Sequence, residues 1–251
     1  MLDPVFLAFA IPAVIFAGVS KGGFGSGAAF AATPILALVV EPAIALALML
    51  PLLMLMDVAA LRAFWRGWHA ASARVLVLGS VPGIVLAGAL YDLAPPDLFR
   101  FLIGLLAVGF VTFQAVLRLG WLRPRTAQFD ARKGVIAGAV AGFTSFISHA
   151  GGPPVAVFLL AQPLRKTVYQ ATTVIVFWAI NLLKVLPFAY LGFFTAETLT
   201  ASLALAPAAF LGVWLGVWLH HRIPEWHFFA LTYVLLTVTG AKLIWDAALG
   251  G

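Results

Sequence analysis

Apolar residues fill this chain in long unbroken stretches, and the polar residues between them fall in short clusters. Residues 42–65, 71–93, 98–119, 167–191, 198–220 and 226–249 are each long enough to cross a bilayer as a helix, which takes about 20 residues. Four other apolar runs, 4–18, 28–40, 134–147 and 155–162, are too short for that. They form two pairs, each flanking a glycine-rich polar break. The first break, residues 17–27, reads A-G-V-S-K-G-G-F-G-S-G; the second, residues 141–154, reads A-G-F-T-S-F-I-S-H-A-G-G-P-P. At mid-membrane depth such a break is tolerated only where it is buried in protein or lines a cavity. The pattern predicts an all-α polytopic membrane protein whose two breaks face each other and make a substrate site.

Composition agrees. The chain is 63% hydrophobic and 10% charged, with a mean hydropathy of +1.08, against about 45–50% apolar and 25% charged in a soluble domain. The long runs exclude an outer-membrane barrel, whose strands alternate over about ten residues. Without cysteine, disulfides and thiolate metal sites are excluded. Residues 1–12 carry Asp3 and no cation ahead of the apolar run, so no cleavable signal peptide is expected. The net charge of +6 comes from cations in short loops, which set topology, so no nucleic-acid partner is expected.

The second half repeats the plan of the first, two short segments and three long ones. Gly18 and Gly142, and Asp57 and Asn181, are both 124 positions apart. Pro82 with Pro207, and Pro96 with Pro224, follow at slightly larger offsets. Residues 1–121 are therefore read as a first repeat, 122–133 as a linker and 134–251 as a second repeat. Arg62, Arg66 and Arg74, and the basic linker with Arg123, Arg125, Arg132 and Lys133, belong on the cytoplasmic face. Asp92, Asp97 and Glu41 then fall outside, while Arg165, Lys166 and Arg222 return inside and Glu197 outside. The halves come out as inverted repeats, each a short broken or re-entrant helix pair plus three transmembrane helices. Both termini lie outside. Inverted repeats are a common transporter plan, with the site at midplane between discontinuous helices.

The candidate chemistry sits at the breaks. A half-helix starting near Pro153 points its amino end into the membrane, where free amides and the helix dipole attract an anion. Gly151 and Gly152 permit close approach, and Thr144, Ser145, Ser148 and His149 surround them. The alternative is that the glycines only let helices pack closely. In the first break Ser20, Lys21, Gly22, Gly23, Gly25 and Ser26 follow the same logic with an explicit cation, although Lys21 could instead snorkel to an interface. Asp57 is either a proton-coupling carboxylate, a partner for Lys184, or a structural partner of Arg62. Asn181 and Lys184, one turn apart, read as site-lining donors, with Gln170, Thr172 and Thr173 extending the same helix. His149 is the second proton-coupling candidate, because imidazole titrates nearest neutral pH. His220 and His221 lack a third ligand, so no metal is expected. No phosphate-binding loop is present, and no cofactor is implied.

On these residues the chain resembles the TauE/SafE membrane permeases: S-K-G-G-F-G-S-G after a short apolar run, and G-F-T-S-F-I-S-H-A-G-G-P-P opening the second half. The resemblance covers essentially the whole chain. It implies transport across the inner or plasma membrane of a small sulfur anion: sulfite, taurine, isethionate or sulfoacetate. The two breaks would be the substrate-facing segments. The competing readings are an intramembrane enzyme and a channel-like anion pore. Ser148 and His149 are adjacent, which gives no Ser–His hydrogen bond, and no acid partner is evident, so the enzyme is disfavoured.

Overall fold

The computed structural model describes residues 2–249 except 25, 64–66, 122–127 and 221, with the backbone alone at 26–27, 62–63, 96, 220 and 225. Gly25, Trp65, Arg66, Arg123, Arg125 and His221 therefore lie outside the described residues, as do the side chains of Ser26, Arg62 and His220.

Ten α-helices follow one another without a strand among the described residues. The first, α1 (Pro4–Val19), starts where Pro4 needs no N–H partner and where Asp3 accepts a bond from Phe6 N at 2.9 Å. That bond holds the Asp3 carboxyl below its ordinary pKa. The chain then enters a π turn (Ser20–Phe24), a 3-10 segment (Ser26–Ala31) and the short α2 (Ala32–Leu36). α3 (Pro42–Ala63), α4 (Ala70–Leu93) and α5 (Pro96–Arg118) complete the first half. The second half runs α6 (Ala131–Ser148), α7 (Gly152–Leu160), α8 (Lys166–Tyr190), α9 (Ala196–His220) and α10 (Glu225–Leu249).

Among the described residues seven helices are long and apolar enough to cross a membrane: the six expected ones and Pro4–Phe24. The last corrects the sequence reading. The polar residues Ser20 to Phe24 do not break the first helix but extend it by a π turn, to 21 residues. Such π segments insert into helices at local cost and are frequent at functional sites. In the second half the break is real, spanning His149 to Gly151 between α6 and α7.

Helix packing is built on glycines four or five residues apart. Gly18 and Gly23 on the first helix meet Gly212 and Gly216 on α9, Gly79 on α4 meets Gly138 on α6, and Gly83 and Gly142 lie against the Ala139 and Ser80 backbone of the facing helix. A Cβ on Gly83 would lie 1.9 Å from the Ala139 carbonyl oxygen, and one on Gly23 would lie 2.1 Å from that of Gly216. In lipid, helices associate through such close backbone approach, because hydrocarbon is no worse a solvent for leucine than protein is. The register gives directions. Contact positions climb together along α1 and α9 and along α4 and α6, so both pairs are parallel. Gly104 faces Ile244 while Ala107 faces Gly240, so α5 and α10 are antiparallel.

α3 and α8 make the centre, with 61% and 56% of their membrane-long windows buried against 22% for α5. The outward faces carry large apolar side chains such as Leu78, Val85, Leu186, Leu203 and Val238, as a lipid-facing surface requires. The molecule is a multi-pass membrane protein.

Candidate functional site

The centre is not wholly apolar. Four ionisable side chains, Lys21, Asp57, His149 and Lys184, are enclosed where the π turn, α3, the α6 cap and α8 converge. The Lys21 and Asp57 side chains are 5% and 2% exposed, and Lys184 is fully buried. Each is put there by a local feature of the chain. The π turn carries Lys21 to the Oδ1 of Asp57, with which it forms an ion pair. Asn181 donates from Nδ2 to the other oxygen, Oδ2, at 2.8 Å. These two residues are 124 positions apart in the chain, and they touch at the centre.

Lys184 lies one turn beyond Asn181. Its Nζ donates to the Ser145 carbonyl at 3.0 Å and meets His149 Nδ1 at 2.6 Å, with the Phe188 ring centroid 5.9 Å away. His149 Nε2 lies 3.2 Å from the carbonyl oxygen of Leu46 in α3. A carbonyl only accepts, so a histidine proton sits on Nε2. With Nδ1 accepting from Lys184 Nζ the histidine is neutral, held between an amine and a carbonyl.

His149 also has the only positive φ of a non-glycine residue among those described, 54° with ψ 16°. This left-handed cap usually falls to glycine or asparagine, and another residue there costs about 1–2 kcal/mol. The cap is pinned on both sides. Ala150 N donates to the Thr144 carbonyl at 3.2 Å, and Thr144 Oγ1 donates back to the Ala150 carbonyl at 3.0 Å. Backbone held in a sparse region by its surroundings is a mark of functional positions.

Phe30 and Ala31, at the end of the 3-10 segment that follows the first polar stretch, share a buried cluster with Ala150 of the second break. The other sequence-derived candidates divide. Ser145 enters through its carbonyl, and Ser148 Oγ is fully buried with no hydrogen-bond partner, as is Thr33 Oγ1 of α2. Ser20 is buried at the head of the π turn. Gly151 lies against α6 and α8, where a Cβ would come 3.0 Å from the Ala141 carbonyl oxygen. Pro153 and Pro154 have no N–H, so the open amino end of α7 consists of the Gly151 and Gly152 amides, fewer donors than a helix start ordinarily offers. Gly22 and Gly23 point at the α9 backbone, which accounts for both by close packing. Asp57 does not pair with Lys184; its partners are Lys21 and Asn181.

The family profile described as sulfite exporter TauE/SafE matches residues 10–243, nearly the whole chain. The chain belongs to the TauE/SafE family. Its members are membrane transporters of the sulfite-exporter type, not enzymes, which removes the intramembrane-enzyme reading. No curated protein and no solved structure matches it.

The TauE/SafE chain holds a second polar cluster that sequence reasoning missed. His69 N donates to Thr172 Oγ1 at 2.9 Å, and His69 Nδ1 lies 2.8 Å from Ser72 Oγ. Ser72 Oγ donates to Gln162 Oε1 at 2.9 Å, and Gln162 Nε2 donates to the Phe158 carbonyl at 3.1 Å. This clasp ties the start of α4 to the end of α7 and the start of α8. The residues stand 90 and 103 positions apart, and no local pattern joins them. The Leu46 carbonyl was equally invisible, because every residue has one.

Proposed function

We propose that the protein carries a small sulfur oxyanion, sulfite or an organosulfonate such as isethionate, taurine or sulfoacetate, across the inner membrane by alternating access. The observation that carries this reading is the fully buried Lys184 amine, which has no carboxylate in contact among the described residues. Asp57 is already paired with Lys21. A buried charge without a counter-ion is expensive, and an anion arriving at Nζ would supply it. Ser148 Oγ, Lys21 and the Gly151 and Gly152 amides offer further donors to a tetrahedral head group.

The packing supports a division into inverted repeats. α4 against α6 exchanges halves with α9 against α1, and α5 against α10 and α3 against α8 map onto themselves. Parallel α1 and α9 with antiparallel α5 and α10 fit a re-entrant pair plus three spans, repeated upside down with the linker inside. Rocking of one half against the other about the α3–α8 centre then exposes the site to each face in turn. Where the cargo brings a second negative charge, protons enter the cycle at Asp57, which releases Lys21 when protonated, and at His149, whose Nδ1 is free to take a proton once Lys184 turns to the anion.

Lys184→Met tests the assignment. Uptake of sulfite and isethionate into proteoliposomes falls at least about 30-fold, the cost of removing one partner from a buried charge interaction. The melting temperature in detergent holds or rises, because a hydrophobic isostere relieves an uncompensated charge. Unchanged uptake by a folded variant removes Lys184 from the site.

A further inference from the structure

Resting on the anion-transport reading, we propose that the site accepts its cargo with one net negative charge: a singly charged sulfonate such as isethionate as it stands, hydrogensulfite, or a dianion such as sulfoacetate only together with a proton, which disfavours zwitterionic taurine. The argument is a charge count. Among the described residues, the enclosed acidic, basic and histidine side chains are Lys21, Asp57, His149 and Lys184, and the elements packed on α8 add no other. Lys21 and Asp57 cancel. With Nε2–H given to Leu46 and Nδ1 accepting from Lys184, His149 is neutral. One positive charge then remains, on Lys184 with its amine protonated.

A monoanion neutralises that charge and leaves a balanced interior. A dianion leaves a net charge of minus one in a low-dielectric enclosure, where isolated charge is opposed by several kcal/mol of desolvation. The deficit is removed when a proton lands on Asp57, which frees Lys21 as a second cation, or on His149. Either proton brings the cargo back to one net negative charge. The orphaned Ser148 hydroxyl adds donor capacity without adding charge, so it serves any sulfur oxyanion and does not alter the count.

The test compares isethionate, sulfite and sulfate uptake by the wild-type protein in proteoliposomes, at subsaturating concentration and over a pH series crossing the second ionisation of sulfite. Isethionate is a monoanion throughout, and its uptake is expected to stay flat. Sulfite uptake is expected to fall about tenfold per pH unit once the dianion predominates, and sulfate uptake to run at least about tenfold below isethionate. Sulfate uptake equal to that of isethionate at every pH of the series, or sulfite uptake undiminished on the alkaline side, overturns the charge rule while leaving anion transport intact. Absence of uptake for all three defeats the transport reading itself, and the charge rule falls with it.

Discussion

Asp57 shows how much a single side chain can hold in a membrane interior. It takes an ion pair from Lys21 and an amide hydrogen bond from Asn181, so both carboxylate oxygens are used. Replacing it by asparagine keeps the shape and the Asn181 contact but strands the Lys21 ammonium. Breaking a buried pair from one side costs about 3–5 kcal/mol. Asp57→Asn is therefore expected to lower the thermal midpoint in detergent, and the double variant with Lys21→Met to recover most of the loss. If the two substitutions add instead, the pair contributes no coupling. At this scale the sequence was informative about identity but not about partners. Lys21, Asp57, Asn181, Lys184 and His149 are conspicuous because charge and amide groups are rare in apolar runs. Which of them meet depends on packing, and Asp57 receives Lys21, a partner not foreseen, because the π turn delivers it.

Helices in this molecule are recognised by their glycines as much as by their apolar faces. The glycines spaced by four on α1, α4, α6 and α9 are legible in the chain once aligned on helices, yet Gly22 and Gly23 read first as part of an anion cradle. The structure turns them toward α9. Gly23→Ala and Gly83→Ala are expected to destabilise by about 3 kcal/mol or more, since the obstructing atoms are backbone and cannot rotate away. Gly109→Ala, with nothing within 4 Å of its Cβ position, is the control and should lose no stability. Thermal unfolding of the three variants in one detergent decides it; equal behaviour would mean the glycine contacts do not hold the helices together. The same scale corrects the extent of α1. Apolar run length ended it at residue 18, because serine, lysine and glycine weaken a helix in sequence terms, whereas enclosure by α3 and α9 keeps those residues wound.

For the whole molecule the expected topology places Asp92 outside and Arg165 inside. Both residues are exposed, and the chain has no cysteine of its own, so single Asp92→Cys and Arg165→Cys variants report cleanly. In right-side-out vesicles a membrane-impermeant maleimide is expected to label the first and spare the second until the membrane is permeabilised. The reverse pattern would invert the protein in its membrane, and labelling of both before permeabilisation would dismantle the inverted arrangement. Cation placement in loops carries this expectation, and cations are read by the insertion machinery along the chain rather than through the fold.

The sequence by itself determined the class of the molecule, its long spans, the real break at His149 to Gly151 and the identity of the buried polar groups. These follow from run length, from composition and from the cost of charge in hydrocarbon, all of which act locally. Tertiary structure decided the rest: the continuation of the first helix, the meeting of Asp57 with Asn181, the seat of Lys184 between Ser145 and His149, and the clasp through Ser72 and Gln162. Each of those depends on groups from distant helices being held within about 3 Å, a distance that hydrogen bonding demands and that no pattern along one strand of chain can encode.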